Sequence, residues 1–286
     1  MKRRDFLRSG ATAAGSSLFA ATACTSDGAA RSTAMPGQIR HSVCKWCYGD
    51  LTVDQLADFA GSIGMHSVEL LQVDDFPTLR RHGLVCAMTN GPSTIADGFN
   101  RVENHAELVP GFREVIRAVA EAGFPNVICF SGNRRGMDDE TGLQNCAEGI
   151  RQITGDAEQH GVTICMELLN SKVDHPDYMC DRTAWGVELV ERVGSERFKL
   201  LYDIYHMQIM EGDVIRTIRD NHEVIGHYHT GGNPGRNEID ESQELNYPAI
   251  MRAIKETGFE GYVAQEFIPT RTPLVSLREA VELCDV

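Results

Sequence analysis

The 286-residue sequence predicts an α/β fold, a (β/α)8 TIM barrel in a single domain. From Gln38 onward, eight short apolar runs alternate with amphipathic segments of helical period. The runs are almost continuously apolar, as expected of parallel strands that are buried on both faces. No G-x-G-x-x-G motif follows the first run, which argues against a doubly wound open sheet, the main alternative.

Eight predicted strands and eight predicted helices alternate along the chain. The predicted strands are 39–43, 67–71, 84–88, 126–130, 162–168, 198–202, 224–229 and 262–267. The predicted helices are 52–63, 76–81, 101–122, 141–160, 182–193, 213–221, 247–257 and 273–284. Several of these helices end at a glycine, such as Gly123 and Gly161, which is a common helix stop. Eight such cycles in about 250 residues are typical of one closed barrel.

The first 35 residues are predicted to lie outside the barrel. A basic start at residues 2–4 precedes a run of small and apolar residues at 11–23, which is too short to span a bilayer and is typical of an export signal. Arg3-Arg4, followed by x-Phe-Leu, resembles the signal that is read by the twin-arginine export machinery. We therefore predict a twin-arginine-type signal peptide and linker at residues 1–35 and the barrel at residues 36–286.

Cys24 follows Ala21-Thr22-Ala23, which fits either a lipid-attachment site or ordinary cleavage after small residues. Both alternatives stay open. The sequence thus predicts an exported protein that is periplasmic, or that is anchored to the outer side of the inner membrane through a lipid on Cys24. The expected partners are the twin-arginine machinery and a small molecule, and oligomer formation stays open.

Charge and cysteine content exclude other classes of protein. The net charge is −14 and no basic stripe appears, so a nucleic-acid partner is excluded. The nine cysteines are odd in number, and several lie in apolar runs. The pair Cys44-x-x-Cys47 has no second pair to complete a zinc site. We predict structural thiols and no disulfide framework.

Ionisable residues follow the last four predicted strands, where a barrel of this type carries its active site. They are Glu167, Asp203, His229 and Glu266. Buried carboxylates are costly unless they are paired or bound to a metal, so three of them at one barrel mouth indicate a cation. Three oxygen ligands and one imidazole suit Mg²⁺ or Mn²⁺ better than structural zinc, which favours thiolates. The sequence predicts one such divalent metal, bound by these four residues.

Other polar residues near the strand ends receive no assigned role. They are Trp46, Glu69, Asn90 and Asn170. His227 precedes His229 by two positions, and we expect its side chain to point away from the metal, towards the barrel wall.

Three stretches carry a resemblance to a known family. They are residues 202–212 (YDIYHMQIMEG), 233–238 (NPGRNE) and 244–247 (ELNY). Through them, the chain from residue 38 onward resembles hydroxypyruvate isomerase. That family lies within the xylose-isomerase-like barrels, which also include ketose 3-epimerases and inosose dehydratases.

The resemblance implies a metal-dependent isomerase of small hydroxy-carbonyl compounds, such as hydroxypyruvate and tartronate semialdehyde. It implies that Glu167 and Glu266 are both metal ligands and the catalytic proton-transfer groups, and that the reaction passes through a cis-enediolate. Asp203 and His229 would complete the metal shell. The chemistry agrees, because moving a proton between neighbouring carbons needs a base, an acid and stabilisation of the developing charge.

Two further residues are substrate-binding by the same resemblance. His206 would contact a substrate oxygen, although a hydrogen bond from His206 to a metal ligand is an open alternative. Arg236 would anchor the far end of the substrate, and a guanidinium fits the carboxylate of hydroxypyruvate bidentately.

Departures from the isomerases leave alternatives open. The isomerases carry Gln at the position of His229, whereas the epimerases carry His, and Leu168 replaces a proline. A ketose 3-epimerase or related sugar isomerase is therefore the first alternative. A non-catalytic exported sugar-binding protein is a second, and the retention of both Glu167 and Glu266 argues against it. A related abasic-site endonuclease would need more metal ligands and a basic groove.

Overall fold

A computed structural model describes residues 39–286, which form a barrel of eight parallel strands surrounded by helices. The predicted α/β barrel is therefore confirmed. The strands are β1 (Arg40–Cys44), β2 (Ser67–Glu69), β3 (Thr89–Asn90), β4 (Asn126–Cys129), β5 (Thr163–Glu167), β6 (Phe198–Asp203), β7 (Ile225–Thr230) and β8 (Tyr262–Gln265). They pair in the order β2-β1-β8-β7-β6-β5-β4-β3. Isolated bridges from Ser67 to Val85 and from Leu71 to Thr89 bring the two end strands together.

The helices lie between the strands, as the sequence predicts. They are α1 (Val53–Ser62), α2 (Phe76–Arg81), α3 (His105–Ala122), α4 (Asp139–His160), α5 (Thr183–Val193), α6 (Ile204–Met210), α7 (Val214–Asn221), α8 (Tyr247–Glu256) and α9 (Pro273–Cys284). The predicted stops at Gly123 and Gly161 are confirmed, since both adopt the left-handed conformation that favours glycine. Among the helices of residues 39–286, none has the length and apolarity that crossing a membrane requires.

The prediction for the third strand is wrong. Val85 forms an isolated bridge to Ser67 and residues 87–88 bend, so the strand itself is only Thr89–Asn90. At Ala87, side chains make the hydrogen bonds of the backbone. The N–H of Ala87 donates to the hydroxyl of Ser67 at 2.9 Å, and the carbonyl of Ala87 accepts from Nδ2 of Asn126 at 2.8 Å. These bonds replace the regular ladder that the apolar run predicts.

Helix α6 was not predicted. Its side chains are buried on nearly all sides, so Ile204–Met210 has no amphipathic period that would predict a helix. Asp203 starts the helix, because its side chain accepts a hydrogen bond from the backbone N–H of His206 at 2.9 Å.

The interior of the barrel contains a small apolar layer that is separate from the core between strands and helices. Met88, Ile128, Cys165 and Leu201 form this layer, and each is at most 2% exposed. Side chains two residues apart on a strand share a face. Glu167 and Asp203 follow Cys165 and Leu201 by two positions, so the same side of each strand carries them into the barrel, towards its carboxyl end.

The predicted signal peptide, the linker, Cys24 and the domain boundary at residue 35 lie outside the described residues. The eight cysteines of residues 39–286 are all free, and all except Cys47 are buried. This agrees with the expectation of structural thiols for those eight.

Gly149 and Gly155 provide a matched test of helix packing, because both lie on α4. A Cβ at Gly149 would lie 2.6 Å from Nε2 of His105 and 2.7 Å from Cδ1 of Phe99, whereas one at Gly155 would meet nothing within 4 Å. We expect Gly155→Ala to raise the free energy of unfolding by about 0.5–1 kcal/mol through helix propensity. We expect Gly149→Ala to lower it by about 1–3 kcal/mol through overpacking. Urea denaturation measures both, and a stabilised Gly149→Ala would contradict this packing.

Candidate active site

The four predicted metal ligands meet at one point in the barrel mouth. Glu167 and Asp203 are the last residues of β5 and β6. His229 is the penultimate residue of β7, and Glu266 directly follows β8. All four are buried, and one ligand atom from each lies within 4.8 Å of the others. The sheet register contributes directly, because Asp203 lies opposite His229 in the pairing of β6 with β7.

The imidazole of His229 lies at the centre of this cluster. Its Nδ1 is 2.6 Å from Oε2 of Glu266 and 3.3 Å from Oε1 of Glu167. Although it is buried, this nitrogen makes no hydrogen bond of acceptable geometry. A buried nitrogen without a hydrogen bond, close to several carboxylates, is suited to offer its lone pair to a cation.

Glu69, at the end of β2, binds the other ring nitrogen of His229. Its Oε1 accepts hydrogen bonds from Nε2 of His229 at 2.9 Å and from Nε2 of His227 at 2.8 Å. The expectation that His227 points to the barrel wall is therefore wrong, because residues two apart on a strand lie on the same face. Burial opposes a charge on His229, but the nearby carboxylate of Glu266 raises its pKa well above the ordinary value. In the neutral imidazole, which is the form that binds a metal, Nε2 keeps the proton that it donates to Glu69, and Nδ1 is the lone-pair nitrogen.

Arg236 reaches the cluster from the loop after β7. One terminal nitrogen donates to Oδ2 of Asp203 at 2.9 Å and to the carboxylate of Glu266. Its Nε donates to the backbone carbonyl of Glu266 at 3.1 Å. The rings of Trp46 and Tyr205 lie 5.5 Å and 5.1 Å from the guanidinium carbon. The φ of Arg236 is 57°, a left-handed conformation that is costly for a non-glycine residue and concentrates at functional sites.

A tight turn positions Arg236, and Gly232 makes the turn possible. The N–H of Gly232 donates to the carbonyl of Asn237 at 2.9 Å, and the N–H of Arg236 donates to the carbonyl of Gly232 at 2.7 Å. A Cβ at Gly232 would lie 2.1 Å from the carbonyl oxygen of Glu238. No larger residue fits there, so glycine is what lets this loop fold back over the barrel mouth.

His206, in the first turn of α6, has a hydrogen-bond donor beside each of its two ring nitrogens. Its Nδ1 accepts from Nδ2 of Asn170 at 2.6 Å. The orientation of this amide is fixed, because Oδ1 of Asn170 accepts from the backbone N–H groups of Val173 and Asp174 at 3.0 and 2.9 Å. Burial lowers the pKa of His206 well below its ordinary value, and Arg236 lowers it further. The ring is therefore neutral, with Nδ1 beside the amide of Asn170 and Nε2 beside a terminal nitrogen of Arg236, which can only donate.

One cavity of about 620 Å³ opens onto these residues. Glu167, Glu266, His206 and Arg236 line its polar end. The indole N–H of Trp46 donates to Oε1 of Glu266 at 2.7 Å, which fixes that carboxylate against the cavity wall. The predicted catalytic and substrate-binding residues thus share one cavity, with Asp203 and His229 buried next to it.

The two glutamates differ in proton affinity. Burial raises the pKa of Glu167, and the charge of Glu266 adds to this although His229 opposes it. Burial also opposes the ionisation of Glu266, but Arg236 and His229 together hold its pKa well below its ordinary value. Burial raises the pKa of Asp203 to about 7 against the effect of Arg236. Three buried carboxylates around a single arginine favour the binding of a further positive charge.

The cluster therefore fits a divalent cation. Glu167, Asp203 and Glu266 would supply oxygen ligands, and His229 would supply Nδ1, which Glu69 leaves free. The hydrogen bond from a carboxylate to the far nitrogen of a histidine is the usual arrangement behind a metal-binding imidazole. Cys44 lies near the same histidine, with its Sγ 3.9 Å from Nε2, and together with His229 and Glu266 it forms a second, overlapping group of possible ligands.

Four polar residues near the strand ends had no predicted role, and three of them hydrogen-bond a predicted site residue: Trp46, Glu69 and Asn170. Glu69 could have been predicted as a site residue, because it is a carboxylate at the end of a buried strand, like Glu167. Asn170 lies only three residues beyond Glu167, close to the same strand end. The contact of Trp46 with Glu266 joins residues 220 positions apart, and no pattern in the sequence indicates it.

The hydrogen bonds of Glu69 lead to a prediction about metal affinity. Glu69→Gln offers Nε2 of His229 a weaker acceptor and frees the imidazole to change tautomer. We expect divalent-metal affinity, measured by titration calorimetry, to fall about 10–100-fold. Glu188→Gln, the same change on the outside of the barrel, is the matched control and should bind metal like the wild type. Wild-type affinity in folded Glu69→Gln would show that this carboxylate does not orient His229.

Comparison with known proteins places the chain in a family. Residues 77–284 match the family model described as xylose isomerase-like TIM barrel. The chain is 26% identical to a putative hydroxypyruvate isomerase of Homo sapiens over 56% of its length and 59% of that protein's. It is 28% identical to a 2-oxo-tetronate isomerase of Pectobacterium atrosepticum, over 73% and 84% of the two chains.

Coverage of the relatives is uneven. The first two curated relatives are each matched over less than two thirds of their own length, 59% and 46%. Among solved structures, a family 2 AP endonuclease from Brucella melitensis superposes with a TM-score of 0.74 at 24% identity, over 85% of this chain and 97% of that one, which shows a shared fold. The match to the family model covers well over half of the sequence, and the chain belongs to the xylose isomerase-like TIM barrel family.

Proposed function

We propose that the protein is an isomerase of small α-hydroxy carbonyl compounds, with hydroxypyruvate as the model substrate. The observation that carries the proposal is the pair Glu167 and Glu266, which come from different strands and converge on one imidazole nitrogen at the end of a cavity. Relatives named hydroxypyruvate isomerase and 2-oxo-tetronate isomerase support the same class of reaction.

The two carboxylates would perform the proton transfer. One removes the proton from the carbon beside the carbonyl, and a proton is returned to the neighbouring carbon, so the substrate passes through a cis-enediolate. The different environments of Glu167 and Glu266 support this division, because one pKa is raised and the other is held low. Trp46 keeps Glu266 in place through its indole N–H.

Positive charge and hydrogen-bond donors would stabilise the enediolate oxygens. Once Arg236 turns to the substrate, Nε2 of His206 would be free to carry the ring proton and to donate it to a substrate oxygen. We propose that Arg236 gives up its contacts with Asp203 and Glu266 and binds the substrate carboxylate instead.

We propose one Mg²⁺ or Mn²⁺ as the cofactor, held by Glu167, Asp203, His229 and Glu266. The donor set supports it, because three carboxylates with one imidazole suit these hard cations. When bound, the cation supplies a fixed positive charge next to the substrate oxygens.

A ketose 3-epimerase is the second candidate, and His229 favours it. This residue matches the epimerases rather than the isomerases, and the same pair of glutamates would move a proton at a single carbon of a longer substrate. A non-catalytic sugar-binding protein remains less favoured, because binding alone needs no pair of acid and base.

We also propose that the protein is exported by the twin-arginine machinery and acts in the periplasm, with or without a lipid on Cys24. The support is the Arg3-Arg4 motif and the apolar run that follows it. Fractionation of cells that express the full chain, beside an Arg3→Lys, Arg4→Lys variant, tests this location.

The glutamate pair leads to a prediction about proton exchange. We expect Glu167→Gln and Glu266→Gln each to slow the incorporation of solvent deuterium into substrate by about 10²–10⁴-fold, because an amide cannot carry the proton. Glu188→Gln, the same change on the outside of the barrel, should leave the rate unchanged. Nuclear magnetic resonance of the substrate in D₂O measures the rate at full metal occupancy. A variant of either glutamate that keeps more than a few per cent of wild-type exchange would exclude that residue as a proton carrier.

Arg236 separates the two candidate functions. If the substrate is a keto acid, Arg236→Lys keeps the charge but loses the two-point contact with the carboxylate. We expect kcat/KM for hydroxypyruvate to fall about tenfold or more, which corresponds to roughly 1.4 kcal/mol of transition-state stabilisation. For an uncharged ketose, lysine should substitute in part. Wild-type protein that leaves hydroxypyruvate unchanged but exchanges the C3 proton of a ketose would favour the epimerase.

A further inference from the structure

An apolar rim surrounds the mouth of the active-site cavity. Residues 39–286 contain five large hydrophobic side chains that are exposed, and three of them line this one cavity. The three are Trp46, Val173 and Ile268, with exposures of 48%, 63% and 43%. We call them the apolar rim. Exposed apolar side chains that gather at a cavity mouth mark a binding surface, whereas single ones scattered over a surface do not.

The apolar surface continues from the rim into the cavity. Leu70, Ile128 and Phe130 also line it. The cavity of about 620 Å³ falls in the size range of sites that enclose ligands much larger than a three-carbon acid. Such an acid fills only the polar end, beside Glu167 and Glu266, and leaves the apolar part of the cavity uncovered.

The charges around the mouth restrict what could cover it. Arg236 is the only lysine or arginine among the lining residues, and its guanidinium is bonded to Asp203 and Glu266 at the polar end. Asp174, which is partly exposed, lines the same cavity near Val173. A phosphate or other anionic group at the rim would meet this carboxylate without a cationic partner, so the rim suits an uncharged group.

We propose that the substrate carries, beyond its reacting hydroxy-carbonyl end, an uncharged extension with an apolar face that packs on Trp46, Val173 and Ile268. A sugar ring and an alkyl chain both have this chemistry. The proposal rests on the proposed function for the reacting end. It follows from the continuity of the rim with the catalytic cavity and from the ring of Trp46, which hydrogen-bonds the catalytic Glu266 and is also exposed at the mouth.

The test compares two double variants with matched substitutions. Val173→Ser with Ile268→Ser removes apolar surface from the rim and leaves Trp46, with its bond to Glu266, unchanged. Val102→Ser with Val275→Ser removes two other exposed hydrophobic side chains, at 48% and 49% against 63% and 43% for the rim pair, that do not line the cavity. The probes are hydroxypyruvate, isomaltulose (a disaccharide whose fructose unit keeps a free keto end) and 1-hydroxyheptan-2-one. Affinity is measured by titration calorimetry, and proton exchange is measured by deuterium incorporation.

We expect the wild type to bind at least one extended probe more tightly than hydroxypyruvate. The rim variant should lose about fivefold or more of the affinity for that probe and keep its affinity for hydroxypyruvate within about twofold. The control variant should match the wild type with every probe. Preference for isomaltulose would identify a sugar ring as the extension, and preference for the hydroxyketone would identify an alkyl chain.

Several outcomes would overturn the proposal. One is equal affinity of the rim variant and the wild type for both extended probes. Another is self-association of the wild type that only the rim variant loses, with probe affinities unchanged, which would assign the rim to contacts between copies of the chain. If the rim variant loses affinity but no probe exchanges deuterium with any protein, the extension site stands and the proposed isomerase activity fails.

Discussion

The convergence of three carboxylates on His229 is the interaction on which the rest of the barrel mouth depends. Burying Glu167, Asp203 and Glu266 together costs free energy, and hydrophobic packing at that position does not offset this cost. Arg236 is bonded to two of the carboxylates, and the imidazole lies among all three. The surroundings of the cluster are built to keep these partners in place, from the Glu69 carboxylate behind the imidazole to the turn at Gly232.

Much of the fold was predictable, because its main signals are local. Buried parallel strands and amphipathic helices have distinct apolar periods, and glycine stops such as Gly161 are read directly from the sequence. The predictions failed where contacts between side chains far apart in sequence, and not a local pattern, determine the structure. The side chains of Ser67 and Asn126 make the hydrogen bonds of the Ala87 backbone, and α6 is buried on nearly all sides. Neither feature leaves a periodic pattern in the sequence.

The residues that end the last four strands could be identified as site residues from the sequence. Barrel topology brings such residues together whatever their separation in sequence, so Glu167 and Glu266 could be paired without knowledge of any distance. Orientation was harder to predict. The side chain of His227 was misplaced by an error in strand periodicity, and the roles of Asn170 and Trp46 depend on single hydrogen bonds to His206 and Glu266.

Asn170 and Glu69 have matching positions behind two histidines of the site. Glu69 accepts from Nε2 of His229, so the neutral imidazole, the form that binds a metal, has its lone pair on Nδ1, among the carboxylates. The amide of Asn170 lies beside Nδ1 of His206, and if Arg236 turns from this ring to a substrate, Nε2 is left as the donor. In the proposed function, the first imidazole would therefore face a cation, and the second would face the substrate oxygens on which negative charge develops.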